Sequence, residues 1–329
     1  LRTIAAWGEK TQSDLSRLKI GIVGLGSVGS IVAKILAKNG MSHFTLIDFD
    51  TIELKNMDRM EVEKDDIGRS KVEAIRDMIL RSCSAPRVDV HTINASICEE
   101  EGFRESLNCD ILFSCVDRPW PRQVLNFIAY AHLIPVIDGG ILVRTNHDNT
   151  RMKGAEWKTQ TVGYKRACLE CLGQYEAANA KLERDGFADD PNYIAGMKEG
   201  FEFDVHENVY AFSSTVASME VLQMLSLFVS PSGVSDVGQQ TFHFVIGKMD
   251  VEEGKICHSN CFLRTIVGRG DYAGVEPYGF HLNAETTRNV RRHHRQTQST
   301  KLTTLTGVNN EERRSRRPIW RQVGNKNSR

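Results

Sequence analysis

Three observations predict an α/β fold with a Rossmann-like, mostly parallel sheet covered by helices on both faces. Strand and helix patterns alternate from Lys19 to Asp138, and repeated strand–helix units pair their strands in parallel, with helices packed above and below. The first strand runs into Gly24-x-Gly26-x-x-Gly29, a turn that feeds a helix whose N-terminal amides face an anionic ligand. Two cysteine pairs, Cys168-x-x-Cys171 and Cys257-x-x-x-Cys261, mark the C-terminal half.

Ile20, Ile22 and Val23 make Lys19–Val23 an apolar strand that ends at Gly24, and a helix is expected from about Ser27 to Lys38. Phe44–Ile47 is a second strand, ending at Asp48. A helix over Lys71–Leu80, a strand over Val88–Ile93 and a short helix over Glu99–Leu107 come next. Ile111–Ser114 is a further apolar strand, a helix follows from Arg122 to Ala131, and Pro135–Asp138 closes the series. After Gly139-Gly140 the pattern weakens. A strand is expected at Ile141–Arg144, then a polar region around Trp157. Residues 184–206, with Asp189-Asp190-Pro191, read as a long surface loop, and loops of that length in compact domains usually serve function. Asn208–Phe228 is a helix apolar around most of its circumference and hence buried. Thr241–Ile246 is a late strand, and this C-terminal part is expected to hold antiparallel strands.

At 329 residues the chain can bury one large core, and we assign residues 1–283 to one domain. Charges balance overall, with 42 Lys and Arg against 42 Asp and Glu, but not locally. From Ala284 onward 12 basic residues face 3 acidic ones, leaving 30 against 39 in the body. Residues 284–329 have few large apolar side chains and are expected to form a disordered basic tail. Its arginine clusters lack interleaved aromatics, so nucleic acid is not expected as a partner. No stretch approaches the roughly 18 uninterrupted apolar residues of a membrane helix, and no secretory leader opens the sequence. Leu1 stands where a start methionine would, so we expect upstream sequence, a fused domain included. Eight cysteines without the density of a disulfide framework point to a reducing, cytoplasmic setting. Cys83, Cys98, Cys109 and Cys115 read as small buried residues inside helices and strands.

Asp48, at the end of the second strand and about 20 positions past the glycines, suits ribose hydroxyls. To that point an NAD-dependent oxidoreductase fits. Asp48-x-Asp50 then leads to Asn56 and Arg59, and on to Gly68-Arg69-Ser70-Lys71. Hydride transfer needs no such set. Attack at the α-phosphate of ATP does, because negative charge grows on that phosphate and fixed cations must meet it. Asp117 lies where strand C-termini converge on the ligand crevice, and a carboxylate there suits Mg²⁺ on the phosphates. Taken singly, Asp48 and Asp50 could cap a strand end and Lys71 could be a solvated charge; only the ordered set specifies the chemistry.

In order and spacing these residues resemble the ThiF/MoeB/HesA superfamily, which includes ubiquitin-activating enzymes. Its pattern is GxGxxG, then DxDxVxxxNLxRQ, then GxxK, then TDN followed by an arginine and an asparagine. The counterparts are Gly24–Gly29, Asp48–Met60, Gly68–Lys71, and Val116-Asp117-Arg118 with Arg122 and Asn126. The match runs from about Arg2 to Cys261. Met57, Met60 and Arg118 depart from the pattern without removing a charge that phosphate chemistry needs. The resemblance implies a homodimeric adenylyltransferase in which Asp48 binds ribose, with Asp50 and the three glycines completing the nucleotide site. Asn56, Arg59 and Lys71 would contact the phosphates, and Asp117 would hold the magnesium. It also implies that Arg2, upstream of Gly8-Glu9-Lys10-Thr11-Gln12, reaches the partner subunit's ATP; an ordinary terminal arginine is the competing reading.

Four thiolates from two short knuckles suit a tetrahedral structural zinc, and similarly placed pairs occur in family members. The second pair here is one residue longer than the usual CxxC. A redox pair or four unrelated buried cysteines are the alternatives, although no thioredoxin-like unit accompanies the CxxC. We expect a zinc-stapled C-terminal part. No cysteine lies between Cys171 and Cys257, the span that carries the acceptor cysteine in thioester-forming relatives. The chain would therefore stop at the acyl-adenylate, or pass the activated carboxylate to a cysteine elsewhere. The segment from Cys171 to Pro191 resembles bacterial ThiF-type proteins fused or linked to conjugating-enzyme-like or metalloprotease domains, including in defence systems. The expected reaction is attack by the C-terminal carboxylate of a ubiquitin-like or sulfur-carrier protein on the ATP α-phosphate, releasing pyrophosphate. A tRNA base or short peptide as substrate, NAD-dependent oxidoreduction, and a non-catalytic nucleotide-binding scaffold are the other readings.

Overall fold

Strands of a parallel sheet are buried on both faces and therefore apolar along their length. In β1 (Lys19–Val23) every residue after the first is buried. It pairs in parallel with β2 (His43–Ile47) on one side and β4 (Ile111–Ser114) on the other. β3 (Asp89–Ile93) adds beyond β2, and β5 (Val136–Thr145) beyond β4. The computed structural model describes residues 2–146, 151–187 and 208–289. Among these, β6 (Met152–Val162), β7 (Gln239–His243) and β8 (Lys248–Glu252) complete the sheet in antiparallel fashion, in the order β3-β2-β1-β4-β5-β6-β7-β8. The mixed α/β architecture expected from the sequence is observed. Winding reverses between β1 and β4, which opens a crevice at the C-terminal ends of those strands.

The helices are α1 (Arg2–Trp7), α2 (Glu9–Ser16), α3 (Ser27–Lys38), α4 (Lys71–Ser82), α5 (Glu100–Ser106), α6 (Pro119–Ala131), α7 (Ala177–Arg184) and α8 (Tyr210–Val229). One apolar cluster joins Ile31 and Leu36 of α3, Val72 and Ile75 of α4, and Ala217 and Val221 of α8. A second joins Phe103 of α5 and Val124 and Ile128 of α6 with Leu169 and Cys257. α8 is long and apolar enough by composition to cross a membrane, but it lies against α3, β5 and β6 with half of its apolar window buried. The chain divides into two compact units, Leu1–Ala284 and Glu285–Arg329, and every element above belongs to the first.

Several boundaries differ from the sequence reading for identifiable reasons. Pro135–Asp138 and Ile141–Arg144 form one strand, β5, because Gly139-Gly140 stays extended. A Cβ at Gly139 would lie 2.0 Å from Glu220 Oε1 and 2.7 Å from Val216 Cγ1, so the glycine lets α8 close on the strand. The polar region around Trp157 is β6. Its buried alternation of Ala155, Trp157, Thr159 and Thr161 is half threonine, which hides the apolar signal. β7 ends at His243 rather than Ile246, since Gly247 at φ 63° turns the chain into β8. α6 begins at Pro119 rather than Arg122, with proline at a first-turn position that needs no N–H donor. α1, α2, α7 and β8 were not anticipated. Of the predicted 184–206 loop, residues 188–206 lie outside the described residues, as do residues 290–329 of the predicted tail.

Candidate functional site

The strand-to-helix turn depends on its glycines. Gly24 leaves β1 at φ 85° and donates its N–H to Ile47 O at 2.9 Å. A Cβ there would lie 2.6 Å from Cys115 O, and one at Gly29 would lie 1.9 Å from Gly24 O. At Gly26, the residue preceding α3, a Cβ would meet nothing within 4 Å. That position leaves room in front of the helix N-terminus, where an anion is favoured.

Asp48 is buried, 8% exposed, and its two oxygens accept N–H bonds from Leu25 and Asp50, each at 2.7 Å. The end of β2 is thereby tied to the glycine turn. Thr51 then pairs with Ser70, and Lys71 N donates to Asp50 O at 2.8 Å, which sets the N-terminus of α4 beside the acids. Lys71 Nζ, itself buried, stands 3.0 Å from Asp50 Oδ2 and 3.8 Å from Asp48 Oδ2. Burial alone would lower the Lys71 pKa, but the charges of Asp48, Asp50 and Asp117 outweigh it and the net shift is upward. Burial pushes the Asp48 carboxyl up, with Lys71 and the two backbone amides pulling it back. Lys71 is therefore a fixed cation at neutral pH. Asp117 is exposed at the C-terminal side of β4, near enough for its charge to act on Lys71.

The structure thus brings Gly24, Gly26, Gly29, Asp48, Asp50, Lys71 and Asp117 together. Asn56 and Arg59 bond within their own turn. Asn56 Oδ1 accepts from Glu53 N at 2.9 Å, and Arg59 Nη1 donates to Asp58 Oδ1 at 2.7 Å and to Lys55 O. Arg2 lies in α1, and its side chain is outside the described residues. Gln12, of the segment downstream of Arg2, accepts from Trp7 Nε1 and donates to Asn39 O, fastening α2 to the end of α3.

Arg122 and Asn126 point inward. Arg122 Nε is 3.3 Å from Asp138 Oδ1, while Asn126 donates to Tyr175 Oη and accepts from Leu169 N. A carboxylate the sequence reading missed, Glu183 of α7, accepts from Trp120 N at 2.9 Å in the first turn of α6; a negative charge there suits the helix dipole. It was missed because α7 itself was not anticipated. An open pocket of about 410 Å³ is lined by Lys34, Met57, Met60, Arg81 and Tyr210 among others. It shares no residue with the glycine turn or the Asp48–Lys71 group, so the chemistry, rather than pocket size, locates the candidate site.

The four paired cysteines converge. Their sulfurs lie within 4.8 Å of one another, and Cys168 Sγ and Cys261 Sγ are 3.8 Å apart. Sulfurs at about 2.3 Å from a tetrahedral zinc are separated by about 3.8 Å, so the donor set fits such an ion despite the longer second pair. Cys168 N and Cys171 N donate to Cys257 Sγ and Cys168 Sγ. The remaining cysteines stand at element ends rather than inside elements. Burial nevertheless pushes the Cys98 and Cys115 thiols up, and that of Cys109 to about 11, which makes them poor nucleophiles at neutral pH.

The chain resembles known adenylyltransferases and activating enzymes in sequence and MccB in fold. Molybdopterin-synthase adenylyltransferase of Escherichia coli K12 is 29% identical over 170 residues, covering 51% of this chain and 64% of that protein. Ubiquitin-like modifier-activating enzyme 5 of Caenorhabditis briggsae is 32% identical over 116 residues, 32% of this chain and 27% of that one. The chain thus spans less than two thirds of the length of either relative. The crystal structure of E. coli MccB with ATP superposes with a TM-score of 0.57 at 20% identity, over 76% of this chain and 67% of that chain; this likeness is one of fold. The ThiF family profile matches residues 1–261, most of the chain and all of the site described above. The chain belongs to the ThiF family.

Proposed function

We propose that this chain is an ATP-dependent adenylyltransferase that activates the C-terminal carboxylate of a ubiquitin-like or sulfur-carrier protein. The observation that carries this reading is the buried Lys71, held between Asp48 and Asp50 beside the glycine turn of a ThiF-family chain. The carrier carboxylate attacks the α-phosphorus, its oxygen forms the new P–O bond, and the bond from that phosphorus to the α,β-bridging oxygen breaks with pyrophosphate as leaving group. Asp48 holds ribose, and Gly24, Gly26 and Gly29 let the backbone approach the phosphates. Lys71, with Asn56 and Arg59 once they turn to the ligand, meets the growing negative charge. Asp117 would hold magnesium, which neutralises phosphate charge when bound. Cys168, Cys171, Cys257 and Cys261 would hold a structural zinc.

By the same reading the working form is a homodimer, with Arg2 reaching the partner's ATP. Residues 1–283 form the adenylation unit, and 284–329 a separate basic extension. All eight cysteines are free, as a reducing cytoplasm would keep them. The relatives' names support a protein carrier, since they name molybdopterin synthase and a ubiquitin-like modifier. Mass spectrometry of ubiquitin-like and sulfur-carrier proteins incubated with the chain, ATP and Mg²⁺ tests the proposal. An AMP adduct on a C-terminal carboxylate is expected, and lost with Asp117→Ala. No adduct on any carrier, with MgATP bound, would refute it.

A further inference from the structure

Beyond the family-matched residues the chain returns to the crevice. Pro277 O accepts from Trp120 Nε1 at 3.1 Å, Gly279 N donates to Cys98 O at 2.8 Å, and Tyr278 packs on Phe103 with ring centroids 4.6 Å apart. His281 then lies between two aromatic side chains, 5.3 Å from Phe49 and 5.4 Å from Trp120, the latter stacked at 20°. It is only 5% exposed, and its Nδ1 accepts from Ala284 N at 3.1 Å, which fixes the ring's orientation. Phe49 separates Asp48 from Asp50, and Trp120 stands three residues past Asp117.

These two aromatics follow β2 and β4, the strands on either side of β1. Strands two apart in a sheet are separated by about 10 Å. A single imidazole in ring contact with both side chains spans that gap. The two loops it joins are those bearing the candidate ribose ligand and the candidate magnesium ligand.

We propose that His281 is a positioning residue of the nucleotide site, bridging Phe49 and Trp120 so that Asp48 and Asp117 keep a fixed separation across the glycine turn. The role rests on the reading of this crevice as an ATP site. The bridging segment lies outside residues 1–261, so it is a feature of this chain rather than of the matched family region. Glu183 reinforces the Trp120 end by accepting its backbone N–H. Loosening the bridge would leave the glycine turn in place while letting the Asp48–Asp50 and Asp117 loops drift apart.

The test compares the full-length chain with its His281→Ala and His281→Phe variants. Equilibrium dialysis measures MgATP binding, and hydrogen exchange without nucleotide follows the amides of 49–50 and 116–120. His281→Ala should weaken MgATP binding about three- to tenfold, the range an aromatic contact supplies. Exchange should quicken in both loops together, and His281→Phe, which keeps a ring in the gap, should restore both readouts. Tighter binding in His281→Ala would overturn the proposal by showing that the ring blocks the site. Unchanged binding, or faster exchange confined to 277–284, would overturn it as well. Failure of all three proteins to bind MgATP would remove the ATP reading and the nucleotide role with it, while the exchange data would still decide whether His281 couples the two loops.

Discussion

Lys71 illustrates how one residue can set both stability and chemistry. An amine this buried would be costly as a cation without partners; here two carboxylates flank it, and the net pKa is raised above 10.5. A raised folded-state pKa for a base stabilises the fold fully below the unfolded value and is lost only as pH rises through the folded one. The clamp is thus intact across the neutral range. Lys71→Met should therefore have two effects. It removes the cation proposed to face the phosphates, and on that reading adenylation should fall by at least 100-fold, the scale of losing one preorganised charge-stabilising group. It also strands the buried Asp48 carboxylate, at a stability cost of about 3 kcal/mol at pH 7. Because burial already raises the Asp48 pKa, that cost should shrink as pH falls and Asp48 protonates. Urea unfolding at pH 7 and pH 5 measures this, and an equal deficit at both would show that the clamp is not what holds Asp48. Asp117 differs in kind, since it is exposed and its loss should cost activity without comparable loss of stability.

At the scale of elements, the cysteine knuckles act on α6, the helix that follows the Asp117 turn. Leu169, between the first two cysteines, donates its N–H to Asn126, and Cys257 Sγ lies 3.6 Å from Tyr130 Oη. Both residues belong to α6. A metal at the knuckles would thus brace the C-terminal half of the helix, while Glu183 holds its first turn. We expect one zinc per chain in the purified protein. Its removal by chelation should cost about 3 kcal/mol and lower the melting temperature by roughly 5 °C; metal-free protein with an unchanged melting curve after chelation would exclude the staple. The family's arginine and asparagine divide between two tasks: Asn126 serves this bracing, while Arg122 pairs with Asp138. Spacing along the sequence could not reveal that, because it gives a residue's place on the helix but not which neighbour the opposite face meets. Strands β1, β2 and β4 and helices α3 and α4 were readable from sequence, since residues buried on both faces of a parallel sheet must be apolar, whereas the edge strand β3 was readable from Val90 and Thr92 alternating with exposed Asp89 and His91. β6 and β8 were not readable. Each has polar or threonine-rich positions where the antiparallel half meets solvent or carries the buried hydrogen bonds described next. Glu183 and His281 could not have been chosen as site neighbours from sequence, because only the fold brings them to Trp120.

Across the whole molecule, the parallel and antiparallel halves of the sheet are joined by a row of polar side chains. Ser114 on β4 and Gln160 on β6 both donate to Asp138 on β5, at 2.6 and 2.7 Å, and Gln239 on β7 donates to Gln160 at 3.1 Å. Arg122 supplies the cation for Asp138. A second acid, Glu220 of α8, is also fully buried near the same cation. Among the described residues its Oε2 accepts only a long bond, 3.5 Å, from Cys115 Sγ, and its Oε1 has no hydrogen-bond partner. Two acids and one cation cannot all be charged there without cost. Burial first, and then the Asp138 charge, hold the Glu220 pKa well above 4.5. The sign follows from linkage: the unfolded chain ionises Glu220 above 4.5 while the fold keeps it protonated, so stability is lost as pH rises through the window between the two values. Glu220→Gln is neutral at every pH and keeps an oxygen to accept from Cys115. It should therefore be more stable than the parent at pH 8, by about 1–3 kcal/mol, the scale of burying an unpaired polar group. The advantage should close as pH approaches 4.5. Melting curves from pH 4.5 to 8 decide the matter, and a difference constant across that range would mean that Glu220 does not titrate on unfolding. Since Cys115 stands two residues before Asp117, the same series, read alongside MgATP binding, tells whether a protonated Glu220 at the joint of the sheet also steadies the Asp117 end of the candidate site.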